Sequence, residues 1–155
     1  MRGCKGAQLP CYKADPVRIA ALDHGQARVG LAVSDELGLL AHPRPSLDAR
    51  DRNKLLADIA RLAEEEEIEL FIVGLPLDMS GGEGESARRA RGFAKAVAKA
   101  TGKPVQLFDE RLSTVEASRR LREGGTDARK GKKRVDGAAA AVLLQAYLDA
   151  RRNEP

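Results

Sequence analysis

Three acidic positions, Asp23, the pair Asp109-Glu110, and Asp136, each stand at the boundary of an apolar segment. Carboxylates at the ends of separate core elements suit Mg²⁺ or Mn²⁺, hard ions that take oxygen ligands and keep several waters. Such a cluster supports phosphodiester hydrolysis, in which metal ions activate water and neutralise charge on the phosphorus oxygens, often as a pair about 4 Å apart. Taken singly, each acid has an ordinary reading: Asp23 as a turn former, Asp136 as a helix N-cap, Glu110 as a surface charge. The constellation is more specific than its members.

Basic residues stand close to the acids in sequence. Arg111 follows the acidic pair directly, where it could contact a phosphate or pair with Asp109 or Glu110 and hold them in place. The run Arg129, Lys130, Lys132, Lys133, Arg134 leads straight into Asp136. Read with its glycine, that run predicts a mobile basic loop beside the metal site, able to clamp a nucleic-acid backbone. Arg88, Arg89 and Arg91 begin a basic helix that reads as a solvated face.

The elements that must position these groups follow from hydrophobic periodicity. Val17, Ile19 and Ala21 alternate up to Asp23, and a Gly-containing turn leads to Val29-Gly-Leu-Ala-Val33, which predicts a two-stranded hairpin. A third strand over Leu39 to Leu47 holds Pro43 and Pro45, which confine it to an edge. Leu55, Ile59 and Leu62 recur at helical spacing between Asp51 and Glu67. Leu70-Phe-Ile-Val73, ending at Gly74, reads as a strand buried on both faces.

Ser80 and Glu83 have capping-box spacing ahead of a helix carrying Ala90, Phe93, Ala94 and Val97, which Gly102 stops. Val105, Leu107 and Phe108 form a strand leading into Asp109-Glu110, and Ser113 with Glu116 predicts a second capping box opening a helix that ends at Gly124-Gly125. A last helix runs from Val135 to about Ala150. The order β, β, β, α, β, α, β, α, α makes this an α/β protein with a mixed central sheet flanked by helices. The expected organisation is a flexible extension over 1–16, one domain over 17–150 and a tail over 151–155.

With 155 residues the chain has room for a single core, and 43% hydrophobic with 32% charged residues is the composition of a folded domain. No apolar run approaches the roughly 20 residues of a membrane span, so a cytoplasmic protein is expected. Cys4 and Cys11 lie ahead of the first strand without further Cys or His neighbours and read as incidental thiols. The formal charge of +4 is unevenly placed: 48–69 holds eight acidic and four basic residues, 119–134 eight basic and two acidic. One stretch repels phosphate and the other attracts it. Only five residues are aromatic, most on core-facing patterns, so recognition should rest on backbone charge and shape rather than base stacking.

Four blocks carry a family resemblance: Asp23-His-Gly-Gln-Ala-Arg-Val-Gly-Leu-Ala-Val-Ser-Asp35, Val73-Gly-Leu-Pro-Leu-Asp-Met-Ser-Gly-Gly-Glu83, Phe108-Asp-Glu-Arg-Leu-Ser-Thr-Val-Glu-Ala117 and Lys130-Gly-Lys-Lys-Arg-Val-Asp136. In order and spacing, from about Val17 to Leu148, the chain resembles the YqgF/RuvX family. The resemblance implies an RNase H-like fold related to RuvC-type Holliday junction resolvases and a nuclease role at the 5′ end of pre-16S rRNA in ribosome biogenesis. It also implies that Asp23, Glu110 and Asp136 match the catalytic acids, with Asp109 a further metal ligand and Mg²⁺ or Mn²⁺ the cofactor. The sequence departs from the family pattern at His24, in place of an apolar or aromatic residue, and at Gln26, in place of a hydroxyl. Strand alternation points His24 away from Asp23, as a solvent-facing turn residue.

The expected partners are nucleic acid, either pre-16S rRNA or branched DNA, and ribosomal particles, with no membrane and a monomeric or homodimeric state. Two other functions compete. A Holliday junction resolvase needs two active sites and hence a dimer, and a non-catalytic RNA-binding module would use the basic run and leave the acids idle. An actin-like ATPase, which also carries an Asp-x-Gly turn, needs two lobes, and the chain has length for one.

Overall fold

The structure, a computed structural model, describes residues 17–78, 80–112 and 128–152. Five strands form one sheet: β1 (Arg18–His24), β2 (Arg28–Ser34), β3 (Ala41–Asp48), β4 (Ile68–Leu75) and β5 (Val105–Asp109). Three helices accompany them, α1 (Arg52–Glu65), α2 (Glu85–Thr101) and α3 (Ala128–Arg152), with a 3₁₀ turn at Glu110–Leu112. Spatial order is β3-β2-β1-β4-β5, in which β1 to β3 form an antiparallel meander while β4 and β5 run parallel to β1. The two parallel connections contain α1 and α2, as chains joining parallel neighbours require.

Strand alternation divides the core into two layers. Ala20 and Leu22 of β1, Val29, Leu31 and Val33 of β2, and Phe71 and Val73 of β4 face α1 and α2, where Leu55, Ile59, Phe93 and Val97 are fully buried. Ile19, Ala21, Ala32, Leu70 and Ile72 face α3 through Ala139, Ala140, Leu143, Leu144 and Leu148. Alanines stand among the larger aliphatics of that second interface on both sides. At Gly137 an added Cβ would lie 2.9 Å from the Arg44 carbonyl oxygen, so α3 crosses in near contact with the β3 backbone.

β3 takes the sheet edge, where Pro43 and Pro45 fit because a proline cannot donate to a ladder on both sides. Asp51 caps α1, its carboxylate accepting from the backbone N–H groups of Asn53 and Lys54 at 3.1 and 3.2 Å. Two expectations fail at helix starts. The Ser80-Glu83 capping box does not form: α2 begins at Glu85 behind Gly84, Ser80 donates to Asp78, and Glu83 pairs with Arg91. Other partners satisfy both side chains, Asp78 accepting from the Ser80 hydroxyl within the local turn and the Arg91 guanidinium donating to Glu83.

The basic run 129–134, expected as a loop, lies inside α3, which starts at Ala128. One interior glycine, Gly131, costs a helix only about 1 kcal/mol, and Ala, Lys and Arg on either side are strong helix formers. At its other end α3 continues to Arg152, two residues into the stretch read as a tail. The extension 1–16, with Cys4 and Cys11, and the Ser113-Glu116 capping box fall outside the described residues. No helix among the described residues is long and apolar enough to cross a membrane.

Candidate active site

Asp23 is the sixth residue of β1, the central strand, and only 7% exposed. Its cross-strand partner on β2 is Gly30. On the other side β1 pairs with β4 in a register that ends with Leu22 beside Val73, so the next step sets Asp23 beside Gly74. Both flanks of the aspartate therefore lack side chains. Alternation from Ile19 and Ala21 directs Asp23 to the α3 face, where the surrounding strand positions, Ala21 and Ala32, are also small.

Glu110 arrives from β5. Phe108 pairs with Gly74 and Asp109 with Leu75, after which the chain tightens into the 3₁₀ turn that Glu110 opens. Its side chain returns over β4: a Cβ built on Gly74 would lie 2.6 Å from Glu110 Oε2 and 3.2 Å from Cγ and Cδ. The glycine thus leaves the space that the carboxylate occupies. Glu110 is 6% exposed, so Asp23 and Glu110 are two buried acids in neighbouring positions on a floor without side chains. Asp136 falls within α3, one turn before Ala139 and Ala140, which pack on the same face of the sheet. Its carboxylate lies outside the described residues, as do the side chains of Arg129, Lys130, Lys132, Lys133 and Arg134. Among the described residues no three His, Cys, Asp or Glu side chains gather as a metal-holding group.

Asp109 and Arg111 form a unit beside this centre. The Arg111 guanidinium donates to both Asp109 oxygens, at 2.7 Å from Nη2 and 3.1 Å from Nε, while the Arg111 backbone N–H donates to Oδ1 at 2.9 Å. These bonds hold the Asp109 carboxyl below its ordinary range. Arg111 also reaches the Asp78 carbonyl oxygen at 3.5 Å, and Asp78 Oδ1 accepts from Ser80 Oγ, Ser80 N and Gly82 N at 2.7 to 3.0 Å. Of the two readings open for Arg111, pairing with Asp109 is the one its geometry realises, and it ties the loop after β4 to the turn after β5.

His24 does not face solvent. It is half-buried, with its ring stacked on Phe93 at 4.4 Å between centroids and 11° between planes. Burial, followed by the charges of Arg52 and Arg89, lowers its pKa from 6.5. An unfolded chain therefore binds the proton more readily than the folded one, and His24 stabilises the fold above pH 6.5 and loses that contribution as pH falls below it. Chemical denaturation on either side of pH 6.5 should show a drop in stability at the acid side that a His24→Phe variant, which keeps the stack and cannot titrate, lacks. Equal acid sensitivity in both proteins would remove His24 as the source.

Sequence reasoning missed Gly30 and Gly74 as parts of the site. The signal was available, since a glycine inside an apolar strand marks a close approach, but Gly74 served only as a strand end.

Comparison with known proteins matches residues 17–150 to the family model described as RuvX, Holliday junction resolvase. The chain belongs to the RuvX family. A relative from Anaeromyxobacter sp. (strain Fw109-5), named as a proposed pre-16S rRNA nuclease, is 53% identical over 87% of this chain and 98% of its own. One from Chloroflexus aurantiacus (strain ATCC 29366 / DSM 635 / J-10-fl), named in the same way, is 41% identical over 88% of this chain and 90% of its own. Among solved structures, T. thermophilus RuvC in complex with a Holliday junction substrate superposes with a TM-score of 0.54 at 19% identity, covering 88% of this chain and 96% of that one. The RuvX family member therefore has the RuvC-like, RNase H-like fold expected from its four sequence blocks. Every name attached to these relatives is that of an enzyme acting on nucleic-acid phosphodiesters.

Proposed function

We propose that the protein is a divalent-metal-dependent nuclease that processes the 5′ end of pre-16S rRNA in the cytoplasm, with Asp23, Glu110 and Asp136 as its acidic centre. The observation that carries this reading is the pair of buried carboxylates, Asp23 and Glu110, over a floor formed by Gly30 and Gly74. Burying carboxylates is costly unless cations, protons or hydrogen-bond donors compensate them, and a bound cation is a compensation that oxygen donors suit. Oxygen-only donors with space left by two glycines fit Mg²⁺ or Mn²⁺. When bound, such an ion supplies Lewis-acid stabilisation of the phosphoryl oxygens and lowers the pKa of its water.

The chain's own residues then have separate tasks. Asp23 lies on β1 and Glu110 opens the turn after β5, with β4 between the two strands and the Glu110 side chain reaching back over Gly74 of β4. Asp136, on α3, is the third acid of this reading, and Arg111 holds Asp109 through its paired hydrogen bonds. The basic run Arg129 to Arg134 belongs to α3 and, in this reading, supplies charge for the nucleic-acid backbone. Ribosomal precursor particles are the partners that this substrate brings.

The RuvC-like fold favours one other reading, cleavage of a four-way DNA junction by a dimer. Purified protein is to be incubated with a pre-16S leader RNA and with a four-way DNA junction, in Mg²⁺, in Mn²⁺ and in chelator, and its mass in solution measured. The expected result is metal-dependent cleavage of the RNA and an intact junction. Cutting of the junction by a dimer, with the leader untouched, replaces the rRNA reading; no cleavage of either substrate overturns the nuclease.

A further inference from the structure

The acidic centre occupies one face of the sheet at the ends of β1 and β4, and on the opposite face lies a cleft of about 500 Å³ that it does not use. The cleft opens where β1 and β4 end, between the first turns of α1 and α2, at the carboxyl ends of parallel strands where open α/β sheets hold ligands. Arg52, at the start of α1, lines one wall, and Ser86 and Arg89, in the first turns of α2, line the other. His24 and Gln26 close the β1 side. No carboxylate is found among the described residues lining it.

Its electrostatic character follows from those elements. The exposed Arg52 guanidinium lies 5.8 Å from the centre of the buried Phe93 ring, which stacks with His24, so a cation–π contact holds the charge near the cleft. Arg89 pairs with Glu85 on the same helix at 2.9 Å, an exposed pair of small energetic weight. α2 begins without a side-chain cap, adding the partial positive charge of a helix N-terminus to the two arginines. By contrast Arg91, also in the basic start of α2, is taken by Glu83, whereas Arg89 is exposed, as a solvated face requires, and also lines the cleft.

Position links the cleft to the acids. His24 and Asp23 are consecutive residues of one strand whose side chains leave on opposite faces, and Gly74 lines the cleft with its backbone while Glu110 lies over it. A strand with its scissile bond at Asp23 and Glu110 would place a neighbouring phosphate over this edge. We propose that the cleft between α1 and α2 is a second nucleic-acid subsite, in which Arg52 and Arg89 hold a backbone phosphate of the strand being cut. This rests on the nuclease reading for the identity of the ligand, and on the cleft alone for its chemistry.

The test measures binding with chelator present, so that nothing is cut, using the leader RNA and the DNA junction as separate arms. Arg52→Gln/Arg89→Gln should weaken binding at least about tenfold, the loss of a charge-assisted hydrogen bond. The slope of log affinity against log salt should become shallower by about 0.7 for a single-stranded phosphate contact or about 0.9 for a duplex one. Arg52→Lys/Arg89→Lys, which retains the charge, should recover most of the slope, and RNA titrated into the wild-type protein should shift the His24 ring resonances. Circular dichroism checks the fold of each variant; if the glutamine pair unfolds, the lysine pair and the His24 resonances decide.

Unchanged affinity and slope in the glutamine variant, or His24 resonances that RNA leaves in place, overturn the subsite. If that occurs while wild-type protein still cleaves RNA, the nuclease reading stands without it. Arginine-dependent binding by a protein that cuts neither substrate has the opposite meaning: the cleft is a nucleic-acid site and the nuclease reading falls. The arm that shows the arginine dependence identifies RNA or DNA as the source of the phosphate.

Discussion

Glu110→Gln should reduce cleavage by about a thousandfold, equivalent to about 4 kcal/mol of transition-state stabilisation, while leaving nucleic-acid affinity within a small factor of wild type. Glutamine has the shape of glutamate and fits the same space over Gly74, but it brings no negative charge to a site where two buried carboxylates stand together. Asp23→Asn should behave alike, since it removes the other member of the pair. Asp109→Asn is the informative contrast. Its carboxylate is spent on Arg111, so the substitution loosens the turn that carries Glu110 and should cost about 10- to 100-fold, the range for a group that orients a ligand. Single-turnover rates on one substrate, read beside binding affinities, separate these outcomes. If Asp109→Asn is the more damaging change, the middle ligand is Asp109 and Glu110 has the supporting role.

That contrast resolves what the residue string leaves open. Asp109 and Glu110 are adjacent acids after an apolar strand, and spacing alone ranks neither. The choice depends on a 3₁₀ turn that rotates Glu110 back over β4 and on the arginine two residues beyond Asp109, both products of the local backbone path. Asp23 was readable because β1 alternates cleanly up to it. The edge position of β3 was readable from its prolines, and the buried character of β4 from its unbroken apolar run.

The start of α3 was misread because Gly131 and clustered charge resemble loop punctuation, whereas the docking of Ala139, Ala140 and Leu143 supports a helix that propagates back through good helix formers. His24 was misplaced for a different reason. Alternation correctly turned it away from Asp23, but what lay on the other side was Phe93, contributed by a helix far along the chain. Pairings of that kind have no local signature.

The largest effect expected from a residue without a functional group belongs to Gly74. In Gly74→Ala the new methyl would fall 2.6 Å from Glu110 Oε2, too close for any Cβ contact, so one partner must move. β4 is fixed between β1 and β5 by parallel ladders on both sides, whereas the Glu110 carboxylate is the end of a rotatable side chain. The carboxylate moves. The stability cost is therefore small, but a displacement of about 1 Å at a reacting centre is worth about a hundredfold in rate.

Gly74→Ala should accordingly melt close to wild type and cleave about a hundredfold more slowly. A double-mutant cycle isolates the cause: in a Glu110→Gln background the alanine should cost almost nothing further, because the group it displaces no longer contributes. Additive losses would mean that Gly74 acts through the strand or through the cleft that its backbone also lines. Melting far below wild type would place the strain in β4 instead of in the side chain. Gly74 then matters to the centre through the Glu110 carboxylate alone, which lies where a side chain at that position would stand.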